Sequence, residues 1–198
     1  MKTSVILLLS LLSLSSCIKE LNSLPVPNAV KSKASDIRIA PKADTIPDYA
    51  AFRLRLLKDS LNYDETMFLF CSTSKLCYDP QADGPYLQGF GQVNLASISS
   101  DGRDLAVYNL PYKQGMKIGV DVNARADGPY VIDIDYQRQI PANLQIWLKD
   151  AYLKDSVNLS NTRYNFNITT ADTNSFGKRR FSLVIRENPG QHQNVMPH

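Results

Sequence analysis

Apolar and polar positions alternate along most of the chain from Ala51 onward. In "FRLRLL" the residues Phe52, Leu54 and Leu56 stand against Arg53 and Arg55, and "MKIGVDV" places Met116, Ile118, Val120 and Val122 on one side. "TMFLFC" is instead a continuous apolar run. A period of two marks a strand with one buried face, and a short apolar run marks one buried on both. "DLAVYNL", "YVIDIDY", "LQIWLKD", "YNFNIT" and "FSLVIRE" extend the series, separated by turn signals at Asp101-Gly102, Gly115 and Pro141. Short strands, turns every 8 to 12 residues or so and no convincing amphipathic helix predict an all-β fold. The expected architecture is an antiparallel β-sandwich, Ig-like or jelly-roll-like, over residues 48–187.

Ahead of this region the composition changes. Residues 18–47 hold Pro25, Pro27, Pro41 and Pro47 with lysines at 31, 33 and 42, and no aromatic residue precedes Tyr49. Such a segment buries too little apolar surface to offset its ordering entropy, so 17–47 is expected to be a flexible tether. Its mean span would be about 30 Å, and about 100 Å when stretched. "DIRIA", Asp36 to Ala40, alternates and is alternatively an edge strand packed on the head. At the other end "RENPGQHQNVMPH" reads as a disordered tail, assigned to 188–198.

The first residues, MKTSVILLLSLLSLSS, combine one cation at Lys2 with an apolar stretch from Val5 to Leu14 broken only by serines. That stretch is shorter than the about 20 residues of a spanning helix and ends in small polar residues, so 1–16 reads as a secretory signal peptide. Leu14-Ser15-Ser16-Cys17 resembles a bacterial lipobox. The resemblance implies a diacylglycerol on the Cys17 thiol, cleavage before Cys17 and acylation of the new amine; the alternative is an ordinary signal peptide with a chance cysteine. Several acyl chains anchor far more firmly than one, so the product would stay on a membrane; the resemblance to bacterial lipoproteins implies the outer membrane, on its periplasmic or cell-surface face. "IKE" partly resembles the export signals of surface lipoproteins in Bacteroidota, which leaves the face open.

With Cys17 assigned to lipid, Cys71 and Cys77 remain of the three cysteines. In an oxidising compartment the spacing "CSTSKLC" favours a disulfide closing a short loop; two separate thiols, one buried at a strand end, is the other reading. A single pair lacks the further ligands of a structural zinc, and no metal is expected. Removing the signal leaves 182 residues and takes the formal charge from +3 to +2, with scattered basic residues, which argues against a nucleic-acid partner.

Catalysis is not expected, nor is a cofactor. His192 and His198 are the only histidines and both fall in the tail, where a nucleophile–base pair could not be positioned. Asp133 and Asp135 share a strand face at a spacing open to glycosidase chemistry, but the polar half of an alternating strand is the plainer account. Asp79 and Asp83 are read as a solvated acidic turn rather than a calcium site. "ADGPY" occurs at Ala82–Tyr86 and Ala126–Tyr130 with unrelated flanks, which points to shared turn chemistry and not to a repeat. Asp-Thr/Ser-apolar triplets at Thr45, Ser60 and Ser156 resemble the O-glycosylation acceptor of Bacteroidota, with Thr45 the most exposed on this reading.

The order "DETMFLF", "YDPQADGPY", "ISSDGRDLAVYNLP", "MKIGVDVNARADGPYVIDI", "LQIWLKDAYLKDSVNLSNTRYNFNI", "RRFSLVI" resembles a β-sandwich module of large secreted and surface proteins of Bacteroidota that often precedes a type IX sorting domain. Asp64-Glu65, Asp101-Gly102, Leu105-Ala106, Leu110-Pro111, Tyr130 and Leu148-Lys149-Asp150 carry the match over about residues 51–186. The chain departs from the pattern in standing alone on its tether and in its cysteine pair. The resemblance implies a display or interaction module with no catalytic set.

On that basis the expected function is a lipid-anchored envelope protein that binds an outer-membrane or cell-surface protein. The candidate surface comprises Tyr86, Phe90, Tyr112, Tyr136 and Trp147. The alternative is a carbohydrate-binding lipoprotein, which would need coplanar exposed rings such as Trp147, Tyr152 and Tyr164.

Overall fold

The computed structural model describes residues 46–188. The signal, Cys17, the tether up to residue 45 with Thr45, and the tail from residue 189 with both histidines lie outside the described residues.

Every regular element among the described residues is a strand: β1 (Ala51–Leu57), β2 (Tyr63–Phe70), β3 (Gly84–Pro85), β4 (Val93–Ile98), β5 (Asp104–Leu110), β6 (Met116–Ala124), β7 (Gly128–Arg138), β8 (Leu144–Asp150), β9 (Asp155–Asn158), β10 (Tyr164–Ile168) and β11 (Phe181–Glu187). They form one hydrogen-bonded sheet in the order β10-β7-β1-β2-β5-β4-β6-β11-β8-β9, with β3 added outside β5. The fold is thus all-β, and the sheet curls nearly into a barrel. The purely antiparallel arrangement expected from the sequence is corrected at one place, since β2 and β5 run parallel with Met67 opposite Val107 and Phe70 opposite Leu110. The long segment 71–103, carrying β3 and β4, gives the chain room to return in the same direction.

The alternation sets what is inside. Phe52, Leu54 and Leu56 of β1, Phe68 of β2, Val120 and Val122 of β6, Ile132 of β7 and Leu183 and Ile185 of β11 are all fully buried or nearly so. Phe52 stacks on Phe68 with ring centres 4.6 Å apart. Ile46 also packs against this core, so the ordered head begins before the first strand. Two close approaches depend on glycine. A Cβ at Gly84 would stand 3.2 Å from Cβ of Val107, and one at Gly119 would stand 3.1 Å from Cδ1 of Ile98.

On the opposite side of β1 the polar half of the alternation forms a charge ladder. Arg53 grips Asp135 through two hydrogen bonds of 2.8 Å, and Arg55 grips Asp133 at 3.0 and 3.1 Å. Glu65 on β2 and Arg163 before β10 extend it to 3.3 Å and 3.2 Å contacts. The Arg53 hydrogen bonds hold the Asp135 carboxyl below its ordinary range. Both carboxylates are therefore occupied by guanidinium groups.

Side chains close the curl where the ladders stop. Arg180, just before β11, donates to both oxygens of Asp150 on β8 at 2.8 to 3.2 Å and to the Asn167 carbonyl on β10 at 2.9 Å. The Arg180 and Asp150 side chains are 0% and 1% exposed. Phe166 and Phe181 meet edge to face at 4.9 Å beside the guanidinium, which lies 4.7 Å from each ring. The Tyr164 hydroxyl donates to Asp150 as well. This cluster joins β10, at one end of the strand order, to β8 and β11 near the other.

Candidate binding surface

The segment 71–92 connects β2 to β4 and carries β3. It leaves β2 at Cys71, crosses outside β5 as β3, and enters β4 at Val93. Its polar groups bind it down along the way. The Leu76 carbonyl accepts the Ser100 amide and the Tyr108 hydroxyl. Asp101 accepts the Tyr78 amide, and the buried Asp83 accepts the amides of Asp79 and Asn109. Burial raises the Asp83 pKa despite those amides. With its two oxygens each taken by an amide, Asp83 works as a loop brace, and the described residues hold no cluster of three or more potential metal ligands.

Tyr86 is the last of these braces. Its hydroxyl donates to Asp64 Oδ2 at 2.6 Å and lies 3.1 Å from Asn94 Oδ1, while the Leu95 amide donates to the same Asp64 oxygen at 2.8 Å. Desolvation, reinforced by the Asp64 carboxylate, raises the Tyr86 pKa well above that of an ordinary phenol. The centre ties together the start of β2, the end of β3 and the start of β4.

Apolar side chains stand exposed on the segments tied in this way. Phe90 is 98% exposed and Leu87 84%, both between Tyr86 and Asn94; Leu61 is 89% and Tyr63 53%, both just ahead of Asp64. Leu61 sits in a turn in which Asp59 accepts the amides of Leu61 and Asn62. These four exposed apolar side chains flank the Asp64–Tyr86 centre in the sequence and are the candidates for a contact surface. Of the sequence-based candidates, Tyr86 and Phe90 meet here, Tyr86 as the brace and Phe90 as the exposed member. Leu61, Tyr63 and Leu87 are additions; a leucine inside the turn "DSLN" and another beside glycines in "LQGFG" are the signals that point to them.

The other candidates are dispersed. Tyr112 packs edge-on against Phe70 at 6.1 Å and donates to Gln114. Tyr136, 40% exposed, lies on β7 with the Arg53 guanidinium 6.0 Å from its ring. Trp147 is half-buried, donates to Gln145, and carries the Arg186 guanidinium 4.5 Å from its ring. The three rings of the carbohydrate alternative are not a platform. Tyr164 is buried, as period two in "YNFNI" requires, and the Tyr152 hydroxyl is engaged with Asp172 under the Arg180 guanidinium.

The disulfide favoured by the spacing is also corrected, because Cys71 and Cys77 are not bonded to each other. Cys71 is buried where β2 ends, with Sγ 3.2 Å from the Thr73 hydroxyl, and Cys77 is exposed. The turn closed by the Ser74 amide on the Cys71 carbonyl holds the first thiol against Thr73.

No family model, curated protein or solved structure matches the chain.

Proposed function

We propose that the protein is a non-catalytic, lipid-anchored envelope protein whose β-domain binds a protein partner through the rim formed by Leu61, Tyr63, Leu87 and Phe90. The observation that carries this reading is the near-complete exposure of Phe90 and Leu87 on the loop that follows the hydrogen-bonded Tyr86. A large apolar side chain that leaves water when a partner covers it is the kind of residue that anchors an interface. The lipobox-like Leu14-Ser15-Ser16-Cys17 supports attachment to the outer membrane, and the order of motifs resembling the Bacteroidota surface module supports a display role.

We read the curled sheet as a sandwich, with β10-β7-β1-β2-β5 as one layer and β4-β6-β11-β8-β9 as the other. The layers join at β4 and β5, which share only two register pairs, Ser97 with Leu105 and Ile98 with Asp104. A single core cluster that takes buried side chains from the strands of both groups supports this reading.

The test is affinity purification of the full chain from its native membrane in mild detergent, followed by mass spectrometry, with Cys17→Ala and Phe90→Asp variants. A stoichiometric outer-membrane protein retained by the wild type and lost from both variants is the expected result. A partner that persists with Phe90→Asp removes the rim from the interface, and capture of no protein at all overturns the reading.

A further inference from the structure

A second surface lies at the far side of the 71–92 segment and uses none of the rim residues. Past Ile98 the neighbouring position is taken by the turn carrying Leu76, whose carbonyl holds the Ser100 amide and the Tyr108 hydroxyl. Between this turn and the first residues of β6 is a groove of about 470 Å³ with Leu76, Ile98, Met116 and Ile118 in its wall. Leu76 and Met116 are partly buried against the core, and Gly119, with no Cβ to press on Ile98, lets that side chain lie across β6. The volume falls within the roughly 300–1,000 Å³ of small-molecule sites.

Lys113 and Lys117 also line the groove, and both are exposed. Among the described residues neither has a carboxylate within 4.0 Å, whereas Lys75 and Lys178 do. Two ammonium groups without counter-charges beside an apolar channel complement a molecule that is hydrocarbon along its length and anionic at one end. Met116 adds an unbranched thioether that adapts to a flexible chain.

We propose that this groove binds one single-chain amphiphile with an anionic head group, its hydrocarbon against Leu76, Ile98, Met116 and Ile118 and its head ion-paired with Lys113 and Lys117. The binding is independent of the partner rim and of any catalytic step. It would give the domain a response to free acyl chains in the envelope.

The full chain carrying Cys17→Ala, which has no acyl group at that position to compete, is titrated with the fluorescent fatty acid cis-parinaric acid and then with palmitate and hexadecanol as displacers. The expected result is saturable one-to-one binding. Lys113→Gln with Lys117→Gln should weaken palmitate about tenfold and leave hexadecanol unchanged, as the loss of two exposed ion pairs would. Met116→Trp should abolish displacement by either. Absence of saturable binding overturns the proposal, as does binding that survives Met116→Trp in a variant with an unchanged circular dichroism spectrum. Should Met116→Trp fail to fold, unchanged palmitate affinity in the lysine double variant overturns it. Anionic phosphatidylglycerol vesicles that bind wild type and Met116→Trp alike, with no binding of monomeric palmitate, would assign the lysines to a bilayer surface instead.

Discussion

The Tyr86 hydroxyl stands 2.6 Å from the Asp64 carboxylate and 3.1 Å from the Asn94 side-chain oxygen, so one phenol joins the end of β3 to the starts of β2 and β4. Hydrogen bonds to charged groups contribute more than neutral ones, and Tyr86→Phe is expected to cost about 1.5–3 kcal/mol. It should also loosen residues 87–92. Urea unfolding gives the first quantity and amide hydrogen exchange the second; unchanged exchange in the loop would show that the phenol does not fix the rim.

Arg180 and Asp150 form an ion pair with side chains 0% and 1% exposed. Removing one member leaves a buried charge without its partner, so Arg180→Ala should destabilise by about 3–5 kcal/mol. The double variant Arg180→Met with Asp150→Leu should recover part of that loss, because it leaves neither charge buried although it strands the Asn167 carbonyl and the Tyr164 hydroxyl. Equal losses in the single and double variants, measured by urea unfolding, would refute a paired charge as the source of the stability.

Alkaline pH should unfold the domain through its tyrosines. Burial, with Asp83 nearby, moves Tyr108 from the ordinary 10.0 to about 12, and burial next to Asp150 also raises Tyr164. A folded-state pKa above the unfolded one means that the unfolded chain loses its proton first. The contribution is therefore complete below about pH 10 and falls as pH rises towards 12 and beyond. Chemical denaturation from pH 8 to 12, with tyrosinate absorbance followed in parallel, should show stability declining over this window; a flat profile contradicts it.

Asp121 is 9% exposed on β6, and desolvation, with Asp104 adding repulsion, raises its carboxyl pKa. The folded state thus prefers the protonated form, and the stability tied to that preference is present at acid pH and lost as pH rises through the folded pKa. Asp121→Asn, a permanent stand-in for the neutral acid, should raise the melting temperature at pH 7 and leave it little changed at acid pH. A lower melting temperature at pH 7 would mean that the ionised form is the one the site favours.

The two thiols should differ in reactivity. Cys77 is exposed and Cys71 is buried beside Thr73. Iodoacetamide applied to the native protein should modify Cys77 within minutes and Cys71 only on unfolding, as read by mass spectrometry. Protection of both thiols until a reductant is added would restore the disulfide.

Most strands were legible because period two is a local signal. "FRLRLL", "MKIGVDV", "YNFNIT" and "FSLVIRE" each fall within β1, β6, β10 and β11 or overrun them by a residue. The two-residue β3 and the short β9 offered no period to detect, and β4, buried along nearly its whole length, had its "VNLASI" hidden behind a polar loop. The parallel pairing of β2 with β5 depends on the path of residues 71–103, which no window of a few residues encodes. The binding rim was half legible for a similar reason. Phe90 stands beside glycines in the sequence, whereas the link between the turn before Asp64 and the segment after Tyr86 follows only from Asp64 being shared by Tyr86 and the Leu95 amide. The charge ladder was visible only as two alternating rows, Arg53 and Arg55 on one strand and Asp133 and Asp135 on another, until the register of β1 with β7 brought the rows together.

The position of β1 in the sheet has a mechanical consequence. It lies between β2 and β7 and shares seven register pairs with each, and the chain enters it from the N-terminal side. A force applied at Ala51 along the β1 axis would load both ladders in shear, so many hydrogen bonds must yield together. The same force on β9 or β10, each paired on one side only, would peel the pairs one after another. Load entering the domain at Ala51 thus meets one of the strands best placed to resist extraction.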